Sequence, residues 1–402
     1  MRFMTANIDL SSVTVIDAHS HSYLETPKVL SSGDFARLAS LAPQPSFLEG
    51  TFTPSNTQLQ RGVDRLFDMY RQQPFFRYMV YLLSKFFGCD NTLDSVSRAR
   101  SSRAETFGAY VKDLFDDAGI KGLVMDGGYP PLEETDLKEI PAKVARIFRL
   151  DTFVKDLLAR HKDFAEMCTA YESGIRDAVK DKRFVGLKSI IAYRTGLRIR
   201  RVDRMEAQED FERIALGRAE MAWFGPKVKK LRDFLFVKGM ELSIELNVPM
   251  QVHTGVGDYD IVLDQCDPGL LYDLLKDDEL RHATVVLVHS GYPNNPNAAY
   301  MTSVLPNVFL DFSLTVPFLN PIDHHRVMEI LQVAPSSKIM YGSDGFNLPE
   351  LIWLGAKVGK SALSKSLTAS VKDGLLNENE AGRFAKQILF ENANALYRLG
   401  IH

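Results

Sequence analysis

The first short apolar run of the chain ends in Asp17-Ala-His19-Ser-His21. Side chains alternate across a strand, so His19 and His21 point to one side, where two imidazoles can share a metal ion. One His-x-His pair arises readily by chance. This chain has only nine histidines, however, and four of them close apolar runs: His19, His21, His253 after VPMQV and His289 after ATVVLV. Asp344 follows KIMYGS, and Lys188 lies inside GLKSIIA. Taken singly, a buried histidine is usually a hydrogen-bonded core residue, and an aspartate after a strand usually caps a helix or shapes a turn. Taken together, these imidazoles with one carboxylate suit zinc best, with manganese, iron or nickel also admissible. Such an ion acidifies the water it binds to a pKa of ~7 and polarises a carbonyl. Asp344 beside that water could accept its proton and hand it to a leaving group. A free ammonium cannot ligate, so Lys188 serves a metal only if carboxylated or deprotonated. Otherwise it pairs with Asp344 or binds a substrate carboxylate.

Residues so far apart in sequence need a scaffold that gathers strand ends. Short β-branched runs recur at 13–18, 121–126, 145–150, 184–192, 248–252, 283–288, 307–312 and 338–343, each followed by a longer helical pattern. Eight apolar strands alternating with helices predict a parallel α/β architecture, and eight is the count of a (β/α)8 TIM barrel. The alternative is a doubly wound open sheet. It is disfavoured because His-Ser-His, not a glycine-rich phosphate turn, follows the first strand. In a barrel the C-terminal strand ends form one ring, which would place His19, His21, His253, His289 and Asp344 together.

Two connections are too long to be simple. Residues 22–120 and 193–247 carry helix-period stretches, from Asp64 to Phe87, from Arg204 to Trp223 and, after Gly225-Pro226, from Lys227 to Leu246. Following the first and fourth strands, both would be helical insertions covering the C-terminal face as a lid or cap on a single 1–402 domain. Most of the aromatics Tyr70, Phe75, Phe76, Tyr78 and Tyr81 are expected to be core of the first insertion.

Further polar residues cluster near strand ends. Tyr193 and Arg194 after the fourth strand could clamp a substrate carboxylate, since a guanidinium offers a bidentate fork. Tyr292 after the sixth strand and Glu350 after the eighth are substrate-binding candidates of the same kind, and Arg149 and Asp151 end the third strand similarly; each of these residues also suits a salt bridge or loop anchor. Asp17 could orient a ligand histidine. His161, His282, His324 and His325 fall away from strand ends and receive no role.

Composition narrows the class. Of 402 residues, 45% are hydrophobic and 25% charged, with a net charge of −3, which fits a globular chain and excludes a disordered or collagenous one. Near-neutral charge argues against nucleic acid or an anionic membrane as partner. A small-molecule substrate is the expected partner, with a homodimer as the candidate assembly. Cys89, Cys168 and Cys266 show no metal-ligand spacing, and an odd count disfavours a disulfide framework. The N-terminus lacks a signal-peptide run, and the apolar stretch 75–87 is too short to span a bilayer. The expectation is a cytoplasmic protein.

His19-x-His21, Lys188, His253, His289 and Asp344, in that strand order, resemble the amidohydrolase superfamily of metal-dependent barrels. HTGVGDYD, HSGYPNNPNAAYMTSVLPNVFLDFS and YGSDGFNLPELIWLGAK are similar to an amidohydrolase-related branch in which the barrel is also found fused to a glutamine synthetase-like domain. The chain ends at His402, so that second domain is expected to be absent. The resemblance implies that His19, His21 and Asp344 hold a first ion. It implies that His253 and His289 hold a second where there is one, bridged by a carboxylated Lys188. In single-metal branches His289 is not a ligand, and it then serves as catalytic acid–base. The implied activity is hydrolysis of the C–N bond of an amide of a small carboxylate-bearing molecule, such as a γ-glutamyl amide. The competing expectations are a single-metal decarboxylase or hydratase of aromatic or unsaturated acids, and a non-catalytic binding or signalling barrel. The lean is to two ions, because GLKSIIAYRTG places the lysine within a strand.

Overall fold

The computed structural model describes residues 7–23, 29–39, 68–128, 136–215, 228–258, 261–319, 321–322 and 324–402. Eight strands form one sheet in chain order: β1 (Val15–His21), β2 (Ile120–Asp126), β3 (Lys143–Arg149), β4 (Gly186–Ser189), β5 (Met250–His253), β6 (Val285–Val288), β7 (Val308–Asp311) and β8 (Ile339–Met340). Every neighbouring pair is parallel. The segment after β8 runs back along β1. Ala18 N donates to Tyr341 O at 2.9 Å, His21 N to Gly345 O at 2.8 Å and Asp344 N to His19 O at 2.8 Å. These bonds bring the two ends of the sheet together in the expected (β/α)8 TIM barrel.

Alternation divides each strand between two environments. Leu123, Met125, Leu187, Met250, Val252, Val285 and Leu287 pack outward into the large core shared with the helices. Val124, Ala145, Ile147, Val286, Val288 and Met340 form a separate inner cluster with Ile16 and Ala18. Ala393, Tyr397 and Leu399 of the C-terminal segment belong to the same cluster. That segment closes the N-terminal end of the barrel, where Lys143 at the start of β3 donates to Leu399 O.

The fourth to eighth strands are all shorter than the sequence suggests, the fourth and eighth most. The fourth, expected over 184–192, stops at Ser189, because Ile190 leaves extended geometry (ψ 32°) and its N–H is held by Asp151 Oδ2 at 2.7 Å. The eighth, expected over 338–343, keeps only two residues in the ladder with β7, and the rest bonds to β1 instead.

The connection after β1 is helical where it is described, with helices Ser32–Leu38, Pro74–Phe87, Leu93–Arg103 and Phe107–Ala118. The helix expected from Asp64 to Phe87 is broken: residues 68–70 are helical, a turn follows at 71–73, and a new helix begins at Pro74, whose fixed φ and missing N–H suit a first turn, while residues 64–67 lie outside the described ones. Phe75 and Phe76 are buried, and Phe75 packs on Phe318 with centroids 4.8 Å apart. Tyr70 and Tyr78 are half-buried and Tyr81 is exposed, so only part of that aromatic set is core. After β4 come helices Arg204–Ala215 and Lys229–Leu246, and the expected break at Gly225-Pro226 lies outside the described residues. Among the described residues no helix is long and apolar enough to cross a membrane. The three cysteines are free thiols.

Candidate metal centre

The C-terminal strand ends carry the polar half of the barrel interior. On β2, β3, β4 and β5 the inward positions above the apolar cluster are Asp126, Arg149, Lys188 and His253. β1 departs from simple alternation. Ala18 packs in the inner cluster, yet its neighbour His19 also faces the site. The ladder with β2 shifts register between Asp17 and Ser20, which is where the alternation breaks.

His19 and His21 converge on one carboxylate atom. Asp344 Oδ1 lies 3.2 Å from His19 Nε2 and 3.2 Å from His21 Nε2. Lys188 Nζ is 3.2 Å from the same His19 Nε2. His19, His289 and Asp344 offer ligand atoms that all lie within 4.8 Å of one another. His253 Nδ1 is 3.1 Å from His289 Nε2, and the two rings meet edge to face at 4.5 Å. The six residues singled out in the sequence therefore occupy one pocket. Asp344 and His289 adopt positive φ, 58° and 70°, which non-glycine residues rarely adopt and which tends to mark functional sites.

Proton positions follow from the partners. Gln251 Nε2 donates to Ala18 O at 2.9 Å and to Tyr397 Oη at 2.8 Å. Its Oε1 therefore accepts from His19 Nδ1–H at 2.9 Å, leaving His19 Nε2 as a lone pair. Ser313 Oγ donates to Asp311 Oδ1 and lies 2.8 Å from His289 Nδ1, so that nitrogen carries the proton and His289 Nε2 accepts from His253 Nδ1–H. A lone pair of His19 thus faces a carboxylate oxygen that has no hydrogen-bond donor, and His21 Nδ1 and His253 Nε2 are buried without a hydrogen-bond partner. Two acceptors turned toward each other, His19 Nε2 and Asp344 Oδ1, fit a divalent cation between them.

Burial sets the charges. It lowers His19, helped by the Lys188 charge, and holds His253 and His289 well below the ordinary histidine range, so these rings are neutral. Burial brings the Lys188 ammonium down to about 8, against the opposing pull of Asp126 and Asp344. Burial also works against the Asp126 carboxylate, but the Arg149 guanidinium, bonded through Nε and Nη2, outweighs it and keeps the carboxyl well below the usual range. The Asp17 carboxyl, fully buried, is pushed up to about 7 by desolvation.

The other expected residues divide. The Tyr193 ring lies against His253 with centroids 4.5 Å apart, and its hydroxyl accepts from Asp258 N at 2.9 Å. Arg194 is buried beside it. Asp17 holds the backbone N–H of His19 and Ser343 and not an imidazole; Gln251 does that instead. Arg149 is engaged by Asp126, and Asp151 by Ile190. The Tyr292 ring lies under Arg326 at 5.5 Å. Glu350 departs from expectation. Its carboxylate is fully buried and taken by Arg100 Nε at 2.7 Å and Tyr110 Oη at 2.8 Å, because it opens helix Pro349–Lys372 facing the helices of the first insertion. It ties the insertion to the barrel and is not open to substrate.

Asp126, Gln251, Asp311, Ser313 and Tyr397 were not anticipated. Asp126 ends its strand as His253 does, and Gln251 precedes His253 by two, so both carried a readable signal. Tyr397, near the C-terminus, carried none.

The amidohydrolase family profile matches residues 117–399. Protein fluG of Emericella nidulans is 33% identical over 233 residues, which is 56% of this chain and 27% of the relative. The chain thus spans about a quarter of the length of that curated relative. Among solved structures, a protein described as a metal-dependent hydrolase from Lactobacillus casei superposes with a TM-score of 0.81 at 23% identity, covering 99% of this chain and 100% of the other. Glucuronate isomerase from Caulobacter crescentus superposes at 0.63 with 15% identity, covering 98% and 92%. At these identities the two structures speak for the shared barrel.

Proposed function

The chain is a member of the amidohydrolase family, a metal-dependent enzyme of that superfamily, and on that footing we propose that it hydrolyses the C–N bond of an amide in a small carboxylate-bearing molecule. The observation that carries the reading is the convergence of His19 Nε2 and His21 Nε2 on Asp344 Oδ1, each at 3.2 Å. These three residues would hold the first ion, and zinc suits the donor set best. Such an ion, when bound, supplies Lewis acidity toward a carbonyl oxygen and toward water. Asp344 takes the proton released by the attacking water and returns it to the leaving nitrogen. Lys188, carboxylated, would join His253 and His289 around a second ion. The lowering of its ammonium to about 8 raises the fraction of neutral amine that carboxylation requires. Arg194 and Tyr193 would receive the substrate carboxylate, under a roof supplied by the segments after β1 and β4. The resemblance to barrels fused with glutamine synthetase-like domains makes γ-glutamyl amides the class to test first.

A second reading keeps a single ion. The His253–His289 hydrogen bond at 3.1 Å favours it, since each ring then commits a nitrogen to the other. His289 would act as acid–base, and decarboxylation or hydration of aromatic or unsaturated acids becomes the competing chemistry. Metal analysis of the purified protein, with a panel of γ-glutamyl amides set against aromatic acids, separates the two. The leading reading expects about two equivalents of metal, amine release, and joint loss of the second equivalent and turnover in Lys188→Ala. One equivalent with carbon dioxide release overturns it.

A further inference from the structure

Gln251 sits two residues before His253 on β5, so alternation turns it inward one layer lower, between the polar pocket and the apolar floor. It is fully buried. Its amide has only one orientation that works. Ala18 O can accept but not donate, so the group 2.9 Å from it is the NH2, and the same NH2 reaches Tyr397 Oη at 2.8 Å. Both amide hydrogens are then used, and the carbonyl oxygen is left to His19 Nδ1 at 2.9 Å. Tyr397 does not come from a strand end. It belongs to the C-terminal segment that closes the opposite end of the barrel, and it packs among Ile16, Ala18, Val286 and Met340.

We propose that Gln251 and Tyr397 are positioning residues for metal binding: Tyr397 anchors the Gln251 amide, and that amide fixes both the tautomer and the ring orientation of His19. The inference rests on His19 being a metal ligand. Outer partners of this kind set which ring nitrogen carries the proton and typically change metal affinity 10–100-fold when removed. Without the Gln251 oxygen, His19 Nδ1–H has no acceptor in a dry cavity, and the proton gains nothing by staying there. The ring can then place its N–H on Nε2, facing Asp344 Oδ1, which removes the lone pair the ion needs and satisfies the carboxylate without it. Loss of the Tyr397 hydroxyl is milder. Ala18 O still orients the amide, and only one hydrogen of the NH2 loses its acceptor. The two substitutions are therefore ordered, with Gln251→Leu exceeding Tyr397→Phe.

The test uses the full chain stripped of metal, with His19→Ala as a control. Imidazole 15N shifts of the metal-free protein report the His19 tautomer directly, and Co(II) titration followed by its visible bands reports affinity and ligand geometry. We expect Nδ1–H in the wild type and an Nε2–H population in Gln251→Leu. We expect Co(II) binding to weaken by ~10–100-fold in that variant, with shifted bands, and to weaken by less in Tyr397→Phe, with the tautomer kept. A folded Gln251→Leu with wild-type Co(II) affinity and the Nδ1–H form overturns the inference. Should Gln251→Leu not fold, unchanged affinity in Tyr397→Phe, or Nε2–H in the wild type, overturns it equally. Full Co(II) affinity in His19→Ala would instead refute His19 as a ligand, which keeps the two failures distinct.

Discussion

The two halves of the barrel interior are built from the same strands by the same alternation, and they solve opposite problems. At the N-terminal end, Ile16, Ala18, Val124, Ala145, Ile147, Val286 and Met340 pack with Tyr397 and Leu399 into an apolar plug. Two residues further along β2, β3, β4 and β5 the inward side chains become Asp126, Arg149, Lys188 and His253. The lower half gains from every group it removes from water. The upper half buries lone pairs without donors, which costs stability until a cation arrives. A barrel can carry such a site because parallel strands bring residues from 17 to 344 to one ring while the plug stabilises the fold.

The sharpest way to break this division is to change both halves and compare readouts. His19→Ala or His21→Ala should remove bound metal and turnover while leaving the thermal midpoint unchanged or higher, since fewer acceptors are then buried. Asp344→Asn keeps one oxygen and loses the base, so turnover should fall ~10²–10⁴-fold with part of the metal retained. Wild-type turnover in Asp344→Asn removes it as the proton carrier.

The converse substitution is Ile147→Ala in the plug, where the side chain is 2% exposed. It should cost about 2–5 kcal/mol of stability while metal content and turnover per folded molecule stay at wild-type values. Denaturant titration with parallel metal analysis decides the matter. A loss of metal affinity as large as that of His19→Ala would mean that the two halves are not separable.

What the sequence made legible follows the same division. Strand identity and the residues that share the pocket were readable because several β-branched runs close on a residue whose chemistry clashes with an apolar core: His253, His289, and Asp344 after KIMYGS. What escaped needed distant partners or a broken rule. Strict alternation puts Ala18 and His19 on opposite faces, and only the register shift in β1 brings both inward. Glu350 follows a strand as a substrate ligand would, but Arg100 and Tyr110, some 240–250 residues earlier, take its carboxylate. Gln251 was within reach of the alternation rule. Tyr397 was not, because nothing local distinguishes it from any other core tyrosine.

Two lysines make the comparison finest. Lys188 in the upper pocket and Lys360 beside the lower rim are both brought down to about 8 by burial. Lys188 shares its pocket with Asp126, Asp344 and the imidazoles. Lys360 donates to Ala118 O at 2.9 Å and Ser11 O at 3.3 Å, carbonyls that precede β2 and β1, and its charge is opposed by Lys357 and favoured by Asp117 and Asp9. An ordinary lysine titrates near ~10.4. Between pH 8 and that value the unfolded chain still holds the Lys360 proton while the folded chain has released it. Stability rises with pH wherever the unfolded state binds more protons, so Lys360 should contribute a gain in stability across this window and a constant penalty below it. Lys360→Met removes the titration together with two hydrogen bonds. Thermal midpoints of wild type and variant, followed from pH 7 to ~10, should diverge upward for the wild type above pH 8, with metal content and turnover equal throughout. Curves that stay parallel across the window would show that Lys360 keeps an ordinary affinity for its proton, and that burial at the lower rim is not what burial is in the pocket above.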